Sequence, residues 1–146
     1  MTCSERMLNK NKDLVRRYYT DLWNRWDDSV VDQIISPDIQ FRGSLGVTVS
    51  GRDGFRGYVA QVRAAFPDFH NQVDELLAEG DGVMARLTYS GTHLGELYGA
   101  APTGKGVEYG GIALFKISDG RITSGLVYGD TIGLMRQIGA ATPNNP

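Results

Sequence analysis

Cysteine is nearly absent: the 146-residue chain holds one, Cys3, in a polar N-terminal stretch. A single cysteine makes no intrachain disulfide framework and no cysteine metal cluster. Histidine is almost as scarce, with only His70 and His93. Neither has a second ligand at zinc-like spacing, so no metal site is expected. No apolar run opens the chain as a signal peptide would, and none approaches the ~20 apolar residues of a spanning helix. An excess of one charge is missing too. Lys and Arg number 15 against 17 Asp and Glu, a net charge of −2. That balance offers no electrostatic footprint for nucleic acid and no polybasic segment for an anionic membrane. The absences predict a soluble, cytoplasmic protein with no nucleic acid and no membrane among its partners.

What is present is ordinary globular material, 41% hydrophobic and 22% charged. A chain of this length fits one domain and buries roughly two thirds of its unfolded surface, enough for a core and one modest cavity. Val15, Tyr18, Tyr19, Leu22, Trp23 and Trp26 recur at three- and four-residue spacing and share one face of a first helix. A second helix follows the Asp27-Asp28-Ser29 cap signal and stops at Ser36-Pro37-Asp38, because the residue before proline is pushed out of the helical region. Residues 39–41 read as a short strand before a glycine-rich loop. A third helix starts near Asp53 and turns Phe55, Tyr58, Val59, Val62, Ala65 and Phe66 inward.

Beyond Pro67 the apolar period changes from about 3.6 to 2. Strands are expected over 73–78, 83–93, 107–118 and 121–129, with tight turns at Gly80-Asp81-Gly82 and Ser118-Asp119-Gly120. A short helix over 131–138 ends at Gly139. Helices followed by an antiparallel meander give the α+β class. The helices cover one sheet face, and a partner subunit is the natural cover for the other, so a homodimer or homotetramer is expected.

Specific residues carry a resemblance. The run from Asn11 to Asn24 (NKDLVRRYYTDLWN), Ala64 to Asp68 (AAFPD), and Gly91 to Gly99 (GTHLGELYG) with Pro102-Thr103-Gly104-Lys105 fall in the order of one family, as does the ending Asp130 to Gly139 (DTIGLMRQIG). The chain resembles the SnoaL-like polyketide cyclases over residues 10–139, a single domain between a flexible start at 1–9 and a disordered tail at 140–146. The resemblance implies the cone of the nuclear transport factor two-like superfamily (cystatin-like), a curved antiparallel sheet wrapped around N-terminal helices and walling an apolar pocket. It implies a cyclase or isomerase that needs no cofactor and closes a ring by intramolecular aldol chemistry on an apolar, carbonyl-bearing small molecule. The family's aspartate acid/base maps to Asp130.

Each candidate also has a bland job. Asp130 precedes the last helix and can cap it, whereas in phase with Leu126 and Tyr128 it would stand on the pocket face beside apolar neighbours. His93 can hold a substrate carbonyl or relay a proton, or it can anchor the adjacent loop. Tyr19 can donate to an enolate, while aromatic residues at helical spacing are more often simple core. Trp23, Tyr58, Leu87, Tyr89 and Tyr109 complete the expected substrate wall, with Arg42 at its mouth, where a solvated strand-end charge is the plainer reading. Arg86 and Lys116 face outward by phase. Where relatives often carry His-Trp, this chain has Gly125-Leu126, which predicts a wider and less polar pocket. Gly110-Gly111 removes further volume or marks a bulge. Epoxide opening is a second enzymatic reading and requires a second carboxylate or an arginine facing Asp130, for which Arg42 is the candidate. A non-catalytic ligand-binding module is the third.

Overall fold

The computed structural model describes residues 2–143. Helix α1 (Cys3–Arg17) starts at a capping box in which Thr2 accepts from the Glu5 amide and Glu5 reaches back to the Thr2 amide. It therefore runs back through residues expected as a flexible start. At Tyr18 the turn widens into a π-helical segment, Tyr18–Trp23, that buries Tyr18, Tyr19, Leu22 and Trp23 together. Helix α2 (Ser29–Ile34) leads into β1 (Ile35–Arg42), longer than the expected 39–41 and irregular in register between Ile35 and Gln40. Strand β2 (Thr48–Ser50) occupies part of the glycine-rich segment read as loop. Helix α3 (Gly51–Ala65) buries Phe55, Tyr58, Val62 and Ala65.

Strands β3 (His70–Glu79), β4 (Gly82–Thr92), β5 (Gly106–Ser118) and β6 (Arg121–Gly129) form the meander, and α4 (Thr131–Ile138) ends at Gly139 in the left-handed region, φ 76°. That left-handed conformation suits glycine because residues bearing a Cβ are strained in it. The sheet order is β2-β1-β6-β5-β4-β3. All neighbours are antiparallel except β1 and β6, which run parallel. The expected curved antiparallel sheet thus carries one parallel pair, where the early strand enters beside the last one.

The concave face is lined by a row in register, Val83, Phe115, Gly125 and Phe41. The helices supply Tyr18, Trp23 and Phe55 against it. Phe41 meets Phe55 edge-on at 5.0 Å, and Tyr18 meets Phe115 at 5.1 Å. Such pairs contribute about 0.5–1.5 kcal/mol each beyond area burial. The convex face carries a matching row, Leu77, Met84, Leu114 and Leu126, of which Leu77, Met84 and Leu126 are exposed.

Candidate functional site

Six of the chain's tyrosines gather in and around the cone, in two sets. Tyr18 and Tyr19 come from the π-helical segment and Tyr89 from β4. All three are buried, and none of their hydroxyls has a hydrogen-bond partner among the described residues. With Trp23, Phe41, Ser44, Tyr58, Phe69, Asn71 and Val127 they line a cavity of about 10 Å³. Burial, reinforced by the neighbouring phenols, pushes the Tyr18, Tyr19 and Tyr89 hydroxyls well above the ordinary tyrosine pKa. They are therefore neutral donors throughout the physiological range. The Trp23 indole N–H offers the Tyr18 oxygen a favourable polar contact, without the alignment of a hydrogen bond. Such a misaligned contact leaves the Tyr18 proton free to donate elsewhere.

The other set is paired and closes the mouth. Tyr58 accepts from the Leu45 amide, Tyr109 and Ser44 share a hydrogen bond at 2.9 Å, and Tyr98 donates to the Leu45 carbonyl at 2.9 Å. The β1–β2 loop, residues 43–47, is thus held by tyrosines from α3, from β5 and from the β4–β5 loop. Gly43 lies so close to the Tyr58 ring that a Cβ would sit 2.0 Å from it.

Several expected site residues stand elsewhere. Leu126 and Tyr128 are on the convex face, exposed by 42% and 61%. The inward residues of β6 are Gly125 and Val127, so the phase read for this strand is reversed, since alternate residues of a strand face opposite ways. Asp130 follows them outward: it is exposed, and its Oδ1 accepts from the Gly133 amide at 2.9 Å as the cap of α4. It nonetheless adjoins the rim, because Gly129 packs against Ser44 and Tyr109. Arg42 stacks 4.3 Å over the Tyr128 ring and donates to the Val127 carbonyl. Arg42 is therefore engaged by Tyr128 and Val127 and does not supply the arginine facing Asp130 that is one requirement of the epoxide reading.

His93 is fully buried, yet it is not a cavity residue. Its Nδ1 accepts from the Thr103 amide and meets the Thr103 hydroxyl at 3.0 Å. An Nδ1 that accepts an amide proton places the ring proton of the neutral imidazole on Nε2, which has no partner. His93 therefore clips the two ends of the β4–β5 loop together. Leu87 is buried on the same strand face as Val83 and Tyr89 but does not line the cavity, whereas Tyr19, Trp23, Tyr58 and Tyr89 do.

The pocket is not widened at Gly125. A Cβ there would lie 2.8 Å from Phe41 and 3.3 Å from Phe115, so these rings already fill the space. Gly111 likewise seats the Tyr89 ring. A larger groove, about 840 Å³, lies at the β3–β4 and β5–β6 turns between Met7, Leu14, Ile34 and Ile117. That is the other end of the strands from Tyr89 and Tyr109. None of the partnerless buried tyrosine hydroxyls among the described residues lines it. Among the described residues, no three His, Cys, Asp or Glu side chains group to hold a metal ion, and no helix is long and apolar enough to cross a membrane.

Comparison with known proteins decides the family: residues 13–138 match the SnoaL-like polyketide cyclases. The chain belongs to that family. Among curated SnoaL-like relatives, nogalonic acid methyl ester cyclase of Streptomyces nogalater is 32% identical over 124 residues, covering 83% of this chain and 90% of that protein. Aklanonic acid methyl ester cyclase AcmA of Streptomyces galilaeus is 32% identical over 130 residues, covering 87% and 90%. TsrD from Streptomyces laurentii superposes with a TM-score of 0.80 at 26% identity, covering 90% of this chain and 96% of that one. A SnoaL-like protein from Jannaschia sp. CCS1 reaches 0.85 over 97% and 98%, at 21% identity, which speaks for the fold alone. The SnoaL-like chain is thus an enzyme of the cyclase kind on the nuclear transport factor two-like cone.

Proposed function

We propose that this enzyme closes a ring in a carbonyl-bearing, largely apolar small molecule by intramolecular aldol chemistry, without a cofactor. The observation that supports this reading is the inner set of hydroxyls: three neutral phenols, without protein partners, inside an aromatic wall. Preorganised donors in a water-poor site stabilise the negative charge that develops on a carbonyl oxygen as its α-proton leaves. The curated relatives are named for nogalonic and aklanonic acid methyl esters. An ester of that kind, with an enolisable carbon, is the substrate class we assign.

Among the described residues no carboxylate lines the cavity, so a protein base has to act from the rim. Asp130 is the proposed base, taking the α-proton and returning it after ring closure. Its Oδ2 has no hydrogen-bond partner among the described residues, while Oδ1 serves the cap. Tyr19, with Tyr18 and Tyr89, holds the enolate oxygen, and His93 acts as a positioning residue through the loop it clips. Trp23, Tyr58 and Tyr109 shape the wall. Incubation with aklanonic acid methyl ester, without added metal or cofactor, tests the reading by chromatography and mass spectrometry. A ring-closed product of unchanged mass is expected, because an aldol closure is an isomerisation; unchanged substrate contradicts it.

We also propose that a second copy covers the convex face, giving the expected homodimer. The exposed row of Leu77, Met84 and Leu126 is flanked by charges of both signs, Arg86 with Asp74 and Glu75 on one side and Lys116 with Asp81 on the other. A twofold axis can set positive groups of one copy against negative groups of the other.

A further inference from the structure

The three inner hydroxyls have a property that their shared burial does not require. Tyr18, Tyr19 and Tyr89 are 1%, 3% and 2% exposed, and all three end without a protein partner on one cavity. A buried hydroxyl without a partner costs about 1–3 kcal/mol, and an otherwise ordinary core does not collect three of them side by side. The rings lie close: Tyr18 meets Tyr19 edge-on at 4.9 Å, and both touch Phe115, at 5.1 and 5.9 Å. Tyr89 enters from the sheet, fixed by stacking on Phe69 at 5.7 Å and by contact with Tyr109 at 4.8 Å. The phenols also oppose one another's ionisation, as neighbouring oxygens do.

Size then decides what fits. The cavity measures about 10 Å³, and one water needs roughly 10–15 Å³ of such volume together with two to four polar partners. We propose that Tyr18, Tyr19 and Tyr89 form a subsite for a single oxygen atom. It holds one internal water in the ligand-free protein and takes one ketone or enolate oxygen in exchange. A water can accept two hydrogen bonds and donate two, so three hydroxyls match it; a carbonyl oxygen accepts from two of them. A bound alkyl group leaves the hydroxyls unpaired.

This proposal rests on the cyclase reading only for the identity of the exchanging ligand, and the experiment separates the two. Crystals of the wild-type protein and of Tyr19→Phe/Tyr89→Phe, at a resolution that orders internal waters, are examined alone and after soaking with cyclohexanone. Oxygen-17 relaxation dispersion in solution gives an independent count of long-lived internal waters. The expected result is one water within hydrogen-bond distance of at least two of the hydroxyls, lost in the double variant and replaced by the ketone oxygen in the soaked wild type. Hydroxyls paired directly with one another, or a ketone bound while the water stays in place, overturn the proposal. A protein that shows the exchange yet closes no ring keeps the subsite and loses the cyclase reading. Ring closure by a protein whose inner hydroxyls hold no water and no ketone does the reverse.

Discussion

Tyr98 donates its hydroxyl proton to the carbonyl oxygen of Leu45 at 2.9 Å and ties the β4–β5 loop to the β1–β2 loop across the mouth of the cone. Tyr98 does so from the left-handed region, φ 52°, which a non-glycine residue holds only where its surroundings enforce it. A cavity of about 10 Å³ admits no polyketide ester while this bond is made. Tyr98→Phe should leave the fold intact at a cost of about 0.5–1.5 kcal/mol. It should also speed amide hydrogen exchange over residues 94–105, read by mass spectrometry. Unchanged exchange there would show that the bond does not restrain the loop.

His93 restrains the same loop at its base. His93→Ala removes the acceptor of the Thr103 amide and leaves a hole in a fully buried position. We expect a loss of about 2–4 kcal/mol in denaturant unfolding, combining the unsatisfied amide and the cavity.

Gly125 reads as a gap in the sequence and as a filled site in the structure. Gly125→Ala drives a Cβ to 2.8 Å from Phe41, and calorimetry should show a destabilisation of about 1–3 kcal/mol. A neutral or stabilising effect would mean that the concave face is open at this position.

Burial raises the pKa of Tyr18, Tyr19, Tyr58, Tyr89, Tyr98 and Tyr109, with Tyr98 pushed up to about 12. A group whose folded pKa exceeds its unfolded one contributes stability that is complete below the unfolded value, here about 10, and is lost as pH rises through the folded value. Absorbance at 295 nm should therefore show these phenols still protonated at pH 10–11 and ionising together with alkaline unfolding. Independent titration of all six near pH 10 in the folded protein would contradict the buried set.

Met84→Glu or Leu126→Glu places a charge in the exposed convex row. Light scattering over a concentration series should show the wild-type dimer and a monomeric, folded variant. A variant that stays dimeric places the interface elsewhere.

The helices were legible in the sequence because their apolar stripes are long and their caps local, from Val15 through Trp23 and from Phe55 through Ala65. Strand β4 was equally plain, since Val83, Ala85, Leu87 and Tyr89 alternate without interruption. Strand β6 was not: Gly125 puts no side chain inward, so the apolar Leu126 and Tyr128 mimic a core face that they do not form. The parallel β1–β6 pairing joins segments some 85 residues apart and leaves no local trace. Of the site, Tyr19, Trp23, Tyr58 and Tyr89 were readable from periodicity. Tyr18 shared the first helix's stripe, but the division into paired and unpaired phenols depends on the π-helical segment and on the loop around Leu45, which no spacing rule announces. The role of Asp130 splits the same way, since its capping bond was legible and its distance from the cavity was not.

Asparagine is as good a helix cap as aspartate but carries no basic carboxylate. Asp130→Asn should therefore keep the wild-type melting temperature while lowering kcat on the keto ester by about 10²–10⁴-fold.

The most direct test of the account is the turnover of Tyr19→Phe on that ester, measured beside its melting temperature. Removing one donor from a preorganised oxyanion site costs about 10²–10³ in kcat, so a drop of that size in a protein of undiminished stability is predicted. A Tyr19→Phe enzyme that turns over within twofold of wild type would contradict the claim that the inner hydroxyls carry the reaction.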